Sequence, residues 1–553
     1  MISKALRSLR PGHFGSLGVN PSRSHFRHAT SMASMSNMGK PEGDISDIFA
    51  SLSGKKRLPL PDRFRVLKRR LVSGHEDAVI ASWKRLLAAL QRENELIARS
   101  GTAIVPEVRF SHLEDDIEAS RASIKKRGVV VIRGVIPEDE ARAYKFEIEE
   151  YIRRNPHTRG FPSSEPQVFE LYWSKAQVRA RAHPNLLATQ RALMTKLWHA
   201  ASDPAAPVSM HTPLIYADRL RIRQPGDAFF ALGPHQDGGS VERWEARGYG
   251  RGGVYDAVFR GCWDGDIVDH WEWRGFGGSI FDMLFPDGWD SEDSKEGKEG
   301  EGEGGGYDPF DAVPRIRAVT DLYSGPGACS VFRMFQGWLA ISRSGPLQGT
   351  LLVNPLVREA GVYTLLRPFF AAKKGLGELG GNKEKYLDES NWEFTDGDRM
   401  TSEIQGAAPG RAQEFPEGAH PHLELEKTMV HVPKVRPGDY VVWHCDTIHA
   451  VDKKHTGTGD SSVLYIPVCP TTVANAEYVA RQRDAFLWGT PAPDFPGGEG
   501  ESRHIGRATE AYVRKHCGPL GVQAMGLGPL SPVKKDTPGG KGAVFDANRA
   551  LGF

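Results

Sequence analysis

Long apolar runs are missing. No stretch of the 553 residues approaches the roughly 20 consecutive apolar residues that cross a bilayer, so a helical membrane channel is excluded. Cysteine is scarce. Cys262, Cys329, Cys445, Cys469 and Cys517 are odd in number, widely separated and form no CxxC, which argues against a zinc ribbon and an extracellular disulfide framework. They are expected as buried thiols in a reducing compartment. Neither sign of charge dominates. Lys plus Arg is 71 and Asp plus Glu is 69, so the chain lacks the electrostatic footprint of a nucleic-acid or membrane-surface binder. There is no P-loop, GxSxG elbow or HExxH, and no internal repeat with a period of about 20 to 50 residues.

With 39% hydrophobic and 25% charged residues, the chain is globular and long enough to bury a large core. At about 150 residues per domain its length suggests three to four domains. The 61 Gly and 37 Pro favour turns and β-structure over a helical bundle. Residues 1–41 hold no Asp or Glu but carry Lys4, Arg7, Arg10, Arg23, Arg27 and Lys40 among many Ser. This segment reads as a disordered or transit-peptide-like N-terminus, giving an expected mitochondrial or cytoplasmic location. Residues 42–125 read as a helical extension, with three- and four-residue apolar spacing through Arg63 to Ala98. At Val129 to Ile132 a buried-strand run is followed by Gly134, Pro137 and an acid-rich helix start. Residues 126–528 form the expected main domain, with polar insertions near 284–311 and 373–427 and a loose Gly/Lys-rich tail over 529–553.

The sharpest chemical signal is "GPHQDGGSVERW", from Gly233, which holds the pair His235 and Asp237. Positions i and i+2 of a strand point to one side, and the glycine pair that follows allows a sharp turn. Far downstream, "RPGDYVVWHCDTIHAVD", from Arg436, ends in a second imidazole. Two histidines and one carboxylate on one face of a metal are the donor set of non-haem Fe(II) oxygenases. The downstream motif holds two histidines, His444 and His449. His444 follows the apolar run Tyr440 to Trp443 and could point into the fold.

The chain resembles the phytanoyl-CoA dioxygenase-like Fe(II)/2-oxoglutarate oxygenases, and within that group the DUF1479 family. The resemblance spans about residues 110 to 490. It is carried by "GVVVIRGVIPEDEA" from Gly128, "PGDAFFALGPHQDGG" from Pro225, "VFRMFQGWLAISRSGPLQGTLLVNP" from Val331 and "PGDYVVWHCDTIHAV" from Pro437. It implies a mainly β fold with flanking helices (α+β), a double-stranded β-helix or cupin-like jelly-roll core. It also implies Fe(II) held by His235, Asp237 and His449, with His444 left as a core or supporting histidine.

The co-substrate site departs from the family pattern. Related oxygenases hold the far carboxylate of 2-oxoglutarate with an Arg soon after the last histidine, whereas "GDSSVLYIP", from Gly459, holds no cation. Arg333, inside the apolar "VFRMF", is the first candidate, because a lone buried charge needs a partner. Arg223, in "RIRQPGD", is the second, and Ser462 can donate a hydrogen bond. "GYGRGG", from Gly248, fits GxGxxG but follows no apolar strand, so a dinucleotide fold is unsupported. Trp263, Trp271 and Trp273 could line a substrate mouth or pack an insertion against the core. The expected function is Fe(II)- and 2-oxoglutarate-dependent oxidation of a small molecule with O2. The rival readings are a cupin-like metalloenzyme without 2-oxoglutarate and a non-catalytic jelly-roll binding protein.

Overall fold

The computed structural model describes residues 40, 43, 45–53, 57–228, 231–264 and 306–553. The transit-peptide-like segment, Trp271, Trp273 and most of the 284–311 insertion lie outside the described residues. Two short helices, α1 (Ile45–Ile48) and α2 (Ala50–Ser53), precede α3 (Arg63–Val72) and α4 (Glu76–Ser100). The single helical pattern over 63–98 thus folds as two helices. Gly74, at φ +79°, breaks the run between them. One face of α4 buries Val79, Trp83, Leu86, Leu90 and Ile97, and the Trp83 ring stacks on Phe370 at 4.2 Å.

Strand β1 (Glu107–Arg109) leads into α5 (Leu113–Arg127), β2 (Val129–Arg133) and α6 (Glu138–Arg154). The strand, turn and helix read at Gly128 are all present. Asp439 accepts the Gly134 N–H at 2.9 Å and so holds the turn. The chain continues through β3 (Gly160–Phe161), β4 (Val168–Phe169), β5 (Ser209–Leu214), β6 (Leu220–Arg223), β7 (His235–Gln236), β8 (Phe335–Ala340) and β9 (Leu351–Val353). Then follow β10 (Phe370–Ala372), β11 (Trp392–Phe394), β12 (Gln413–Glu414), β13 (Val430–His431), β14 (Tyr440–His444), β15 (His449–Val451), β16 (Ser461–Tyr465) and β17 (Cys469–Thr471).

Two sheets dominate this mixed α+β architecture. The larger has the order β1-β2-β14-β8-β16-β6-β4-β3, and the smaller has β12-β7-β15-β9-β13. Between β6 and β16 the chain passes repeatedly from one sheet to the other, so residues distant in sequence become neighbours. The larger sheet is buried on both faces. Val129, Val131, Trp338, Val441, Trp443 and Val463 join one core. Val130, Ile132, Leu339, Tyr440, Val442 and Leu464 join a second core with α5 and α6. Burial on both sides explains the uninterrupted apolar runs VVVI and YVVW. All five cysteines are free, three of them buried.

Three boundaries differ from the sequence reading. Residues 42–125 are not a separate extension, because β1 pairs in parallel with β2 and completes the sheet edge. The 373–427 stretch is not a peripheral insertion: it contributes β12 to the smaller sheet. The tail over 529–553 is not loose. Pro538–Leu551 forms a helix whose N-cap is Thr537, with the Thr537 hydroxyl accepting from the Gly540 N–H at 2.9 Å. It packs on the helix Val473–Trp488, burying Ala543, Val544, Ala547 and Leu551. The Arg483 guanidinium donates to the Leu551 carbonyl at 2.8 Å and closes the far end. The segment that reads as a loose Gly/Lys-rich tail holds Ala543, Val544, Ala547 and Leu551 at helical spacing, and these supply the buried face. A chain ending at Asp536 is therefore expected to lose several degrees in thermal unfolding midpoint, because it uncovers Val479 and its apolar neighbours. An unchanged midpoint in scanning calorimetry would contradict this packing.

Candidate metal centre

His235 on β7 and His449 on β15 are direct cross-strand partners in the smaller sheet. Cross-strand partners present their side chains to one face, and these two ring centroids lie 4.1 Å apart. Asp237 follows β7 by one residue. Gly238 and Gly239, at φ +78° and +77°, turn the chain immediately after it. A Cβ at Gly239 would lie 2.5 Å from the Thr320 carbonyl oxygen, so the turn needs glycine for space as well as for conformation. The Asp237 carboxylate comes within 3.6 Å of His235 Nε2 and 3.9 Å of His449 Nε2. The three donor atoms all lie within 4.8 Å of one another.

The far side of each ring fixes its tautomer. His235 Nδ1 is 2.7 Å from the Gly233 carbonyl, and His449 Nδ1 is 3.0 Å from the Thr447 carbonyl. A carbonyl only accepts, so each Nδ1 carries the proton and each Nε2 presents a lone pair to Asp237. Burial, with His235 beside it, pushes His449 down to about 3, so it is neutral and able to ligate near pH 7. Burial works to raise the Asp237 carboxyl, but His449, His235 and Arg333 outweigh it and hold the group below its usual value. Two imidazoles and one carboxylate with converging donor atoms fit a divalent transition metal.

Asp446 ties the two ligand-bearing loops together. It sits in the turn between β14 and β15 and accepts from Arg243 at 2.6 Å and from Arg315 at 2.5 Å, with all three side chains buried. Arg243 also donates to the Asp237 backbone carbonyl at 2.7 Å. Gln236 donates to the Asp446 carbonyl at 2.6 Å. Burial alone would raise the Asp446 carboxyl; Arg315 and Arg243 overcome it and hold the group far below the carboxylate range. His444 belongs to this scaffold. Its Nε2 lies 2.9 Å from the Pro309 carbonyl, its Nδ1 accepts from the Asp446 N–H at 3.0 Å, and its ring stacks on Trp198. Both nitrogens are used, which leaves His444 no lone pair for a metal.

A pocket opens on the three ligands between the two sheets. His235, Asp237 and His449 line it with Gln336, Trp338 and Trp443 from the larger sheet. Ile45, Ile48 and Phe49 from the N-terminal helices line its apolar side, and Phe49 meets the His235 ring edge-on at 4.7 Å. Gln336 and Trp443 are cross-strand neighbours, and Gln336 Nε2 and Trp443 Nε1 are buried without a hydrogen-bond partner among the described residues. Glu242 also lines the pocket, and burial lifts its carboxyl to about 7.

The sequence-derived cation candidates separate. Arg333 lines the pocket next to Asp237 and has no hydrogen bond or ion pair among the described residues. Arg223 is corrected: its Nε donates to Asp227 at 2.6 Å and its Nη1 to the Asp452 carbonyl at 2.7 Å, so its valences are spent. Ser462 is corrected too. Strand alternation turns it to the helix-covered face of β16, where its hydroxyl donates to Asp460 at 2.5 Å. Trp263 packs in the core, with Arg358 over its ring, and does not line the pocket. Gly248 to Gly253 form a 3-10 turn with no preceding strand, in keeping with the rejected dinucleotide motif. Arg221, Gln336, Trp443 and Phe49 are pocket residues that sequence reasoning missed.

The Asp446 clamp gives a direct test. Asp446→Asn leaves two buried guanidiniums facing a neutral amide, and is expected to cost about 3–5 kcal/mol of unfolding free energy. It should also weaken divalent-metal binding, because the Asp237 and His449 loops lose their shared anchor. Denaturant unfolding and metal titration both at wild-type values would contradict the clamp.

The Gig2-like family model matches residues 58–275 and 299–527. The uncharacterized protein YbiU of Escherichia coli (strain K12) is 29% identical over 458 residues, covering 80% of this chain and 90% of that protein. The crystal structure of GlcNAc Inducible Gene 2, GIG2 (DUF1479), from Candida albicans is similar with a TM-score of 0.71 at 29% identity, covering 90% of this chain and 96% of that one. A Salmonella typhimurium LT2 protein, to which an oxidoreductase role is provisionally ascribed, is similar with a TM-score of 0.64 at 27% identity, covering 85% and 99%. With a family model matched over most of its length and full-length relatives of the same group, the chain belongs to the Gig2-like family, DUF1479.

Proposed function

We propose that this protein is a non-haem Fe(II)-dependent oxygenase that uses 2-oxoglutarate and O2 to oxidise a small-molecule substrate. The observation that carries the reading is the convergence of His235 Nε2, His449 Nε2 and the Asp237 carboxylate, with both Nδ1 atoms committed to backbone carbonyls. The oxidoreductase role ascribed to the Salmonella relative agrees with it. The strand path supports a double-stranded β-helix: β6, β8, β14 and β16 lie in one sheet, and β7, β9, β13 and β15 in the other. His235 and His449 both lie in the smaller sheet, on β7 and β15.

Iron(II) held by these three residues would supply O2 activation coupled to decarboxylation of the keto acid, yielding succinate, CO2 and the hydroxylated substrate. The chain's own groups do the rest. A metal held by these three residues would keep positions to take the keto acid and O2. The Gly233 and Thr447 carbonyls orient the two imidazoles. The unpartnered donors Gln336 Nε2 and Trp443 Nε1 face the pocket and suit an oxygen-rich ligand. Ile45, Ile48, Phe49 and Leu232 exclude water from one side. The free Arg333 guanidinium makes the metal end of the pocket cationic and favours acids there.

The assignment is tested by metal content. His449→Ala is expected to abolish iron binding in anaerobically reconstituted protein while the far-ultraviolet circular dichroism stays that of the wild type. Iron retained at wild-type stoichiometry would contradict the ligand set. With iron in place, the wild type should convert 2-oxoglutarate to succinate in air, and no succinate with any substrate would contradict the co-substrate.

A further inference from the structure

A second guanidinium in the pocket has an unmet need. Arg221 on β6 lines the pocket and is only 3% exposed. Its Nη2 donates to the Gly349 carbonyl at 2.9 Å and to Ser461 Oγ at 3.4 Å, and its Nε is buried with no partner. Among the described residues no carboxylate pairs with it. Asp227 is taken by Arg223, and Asp452 by His431 and the Thr350 N–H. Burial pulls Arg221 below the usual arginine range, as expected of a cation with no partner acid. A buried, uncompensated charge costs several kcal/mol, and the ordinary resolution is an anion from outside the chain.

The position of Arg221 matters as much as its charge. It faces Val463 across the β6–β16 pair, between the hydroxyl-bearing residues Ser461 and Tyr465 on the inward face of β16. The sequence places no cation on β16, the strand after His449. Its neighbour β6 supplies one to the same spot, with the Arg221 guanidinium touching Ser461. Tyr465 also lines the pocket, and no hydrogen bond holds its hydroxyl among the described residues. Arg223, two residues on, faces the same way but is neutralised by Asp227. Arg219 lies against Asp218 at 3.3 Å. Arg333 lies beside Asp237 and also lines a small second cavity.

We propose that Arg221, with the Tyr465 hydroxyl beside it, receives the far carboxylate of the 2-oxoglutarate co-substrate, a role that Arg333 does not fill. This rests on the co-substrate reading above and assigns it to particular residues. The distal acid lies along β6 and β16, while the keto-acid end reaches the metal ligands on β7 and β15.

The test compares two ligands that differ only at the far end. Anaerobic calorimetry on the full-length, Fe(II)-loaded protein measures 2-oxoglutarate and 2-oxobutanoate, which lacks the second carboxylate. Wild type should favour 2-oxoglutarate by roughly 10-fold or more, the preference a charge-assisted pair supplies. Arg221→Gln should collapse that preference while leaving 2-oxobutanoate binding and iron content unchanged, a pattern that general damage to the fold would not give. Arg333→Gln should keep the preference. If Arg221→Gln does not fold, Tyr465→Phe should reduce the preference. A preference surviving in Arg221→Gln, lost in Arg333→Gln, or untouched in Tyr465→Phe would overturn the assignment while leaving the co-substrate reading in place. Wild-type protein that holds iron but binds neither acid would overturn both.

Discussion

The buried Asp446 carboxylate, shared by Arg243 and Arg315, is the constraint on which the site depends. Three buried charges are a costly arrangement unless each is paired. Here the pairing does geometric work. Arg243 reaches from Asp446 to the Asp237 carbonyl, and Gln236 reaches back to the Asp446 carbonyl. The loop after β7 and the turn before β15 are thereby locked to each other. His444 accepts the Asp446 N–H and the Thr447 hydroxyl donates to the Gly128 carbonyl, so the same turn is also fixed to the larger sheet. The three ligand atoms then converge although nothing bonds them directly.

Around that rigid centre the pocket is chemically one-sided. Its buried unpartnered atoms are Gln336 Nε2, Trp443 Nε1 and Arg221 Nε, all of them donors. Interiors normally satisfy such groups internally, and His444, Arg223 and Asp446 show that this chain does so a few residues away. Under the proposed function, open donors and cations beside His235, Asp237 and His449 suit an acidic ligand. The apolar wall from Ile45, Ile48 and Phe49 lowers the local dielectric and strengthens each of those contacts.

The convergence of His235, Asp237 and His449 was legible because their spacing has a local cause. His235 and Asp237 sit two apart with a glycine pair behind them, and His449 follows a strand that reads as fully buried. The strand, turn and helix at Gly128 were legible for the same reason. The partners were not. Arg221 and Arg223 are i and i+2 on one strand, and only the fold brings Asp227 to one and leaves the other bare. Ser461 and Ser462 differ by one position, which on a strand means opposite faces. The Asp446 clamp joins residues some two hundred positions apart, beyond any local pattern. The C-terminal helix was hidden by composition, since the glycines and lysines that read as loose mask the buried positions Ala543, Val544, Ala547 and Leu551.

The central claim is that His235, Asp237 and His449 form one metal centre that also takes a keto acid. The most direct measurement is anaerobic addition of 2-oxoglutarate to the Fe(II)-loaded protein, followed by visible absorption. The account predicts a weak charge-transfer band from the chelated keto acid, present in the wild type and absent in Asp237→Ala. Iron bound without any band, or a band that persists in Asp237→Ala, would contradict it.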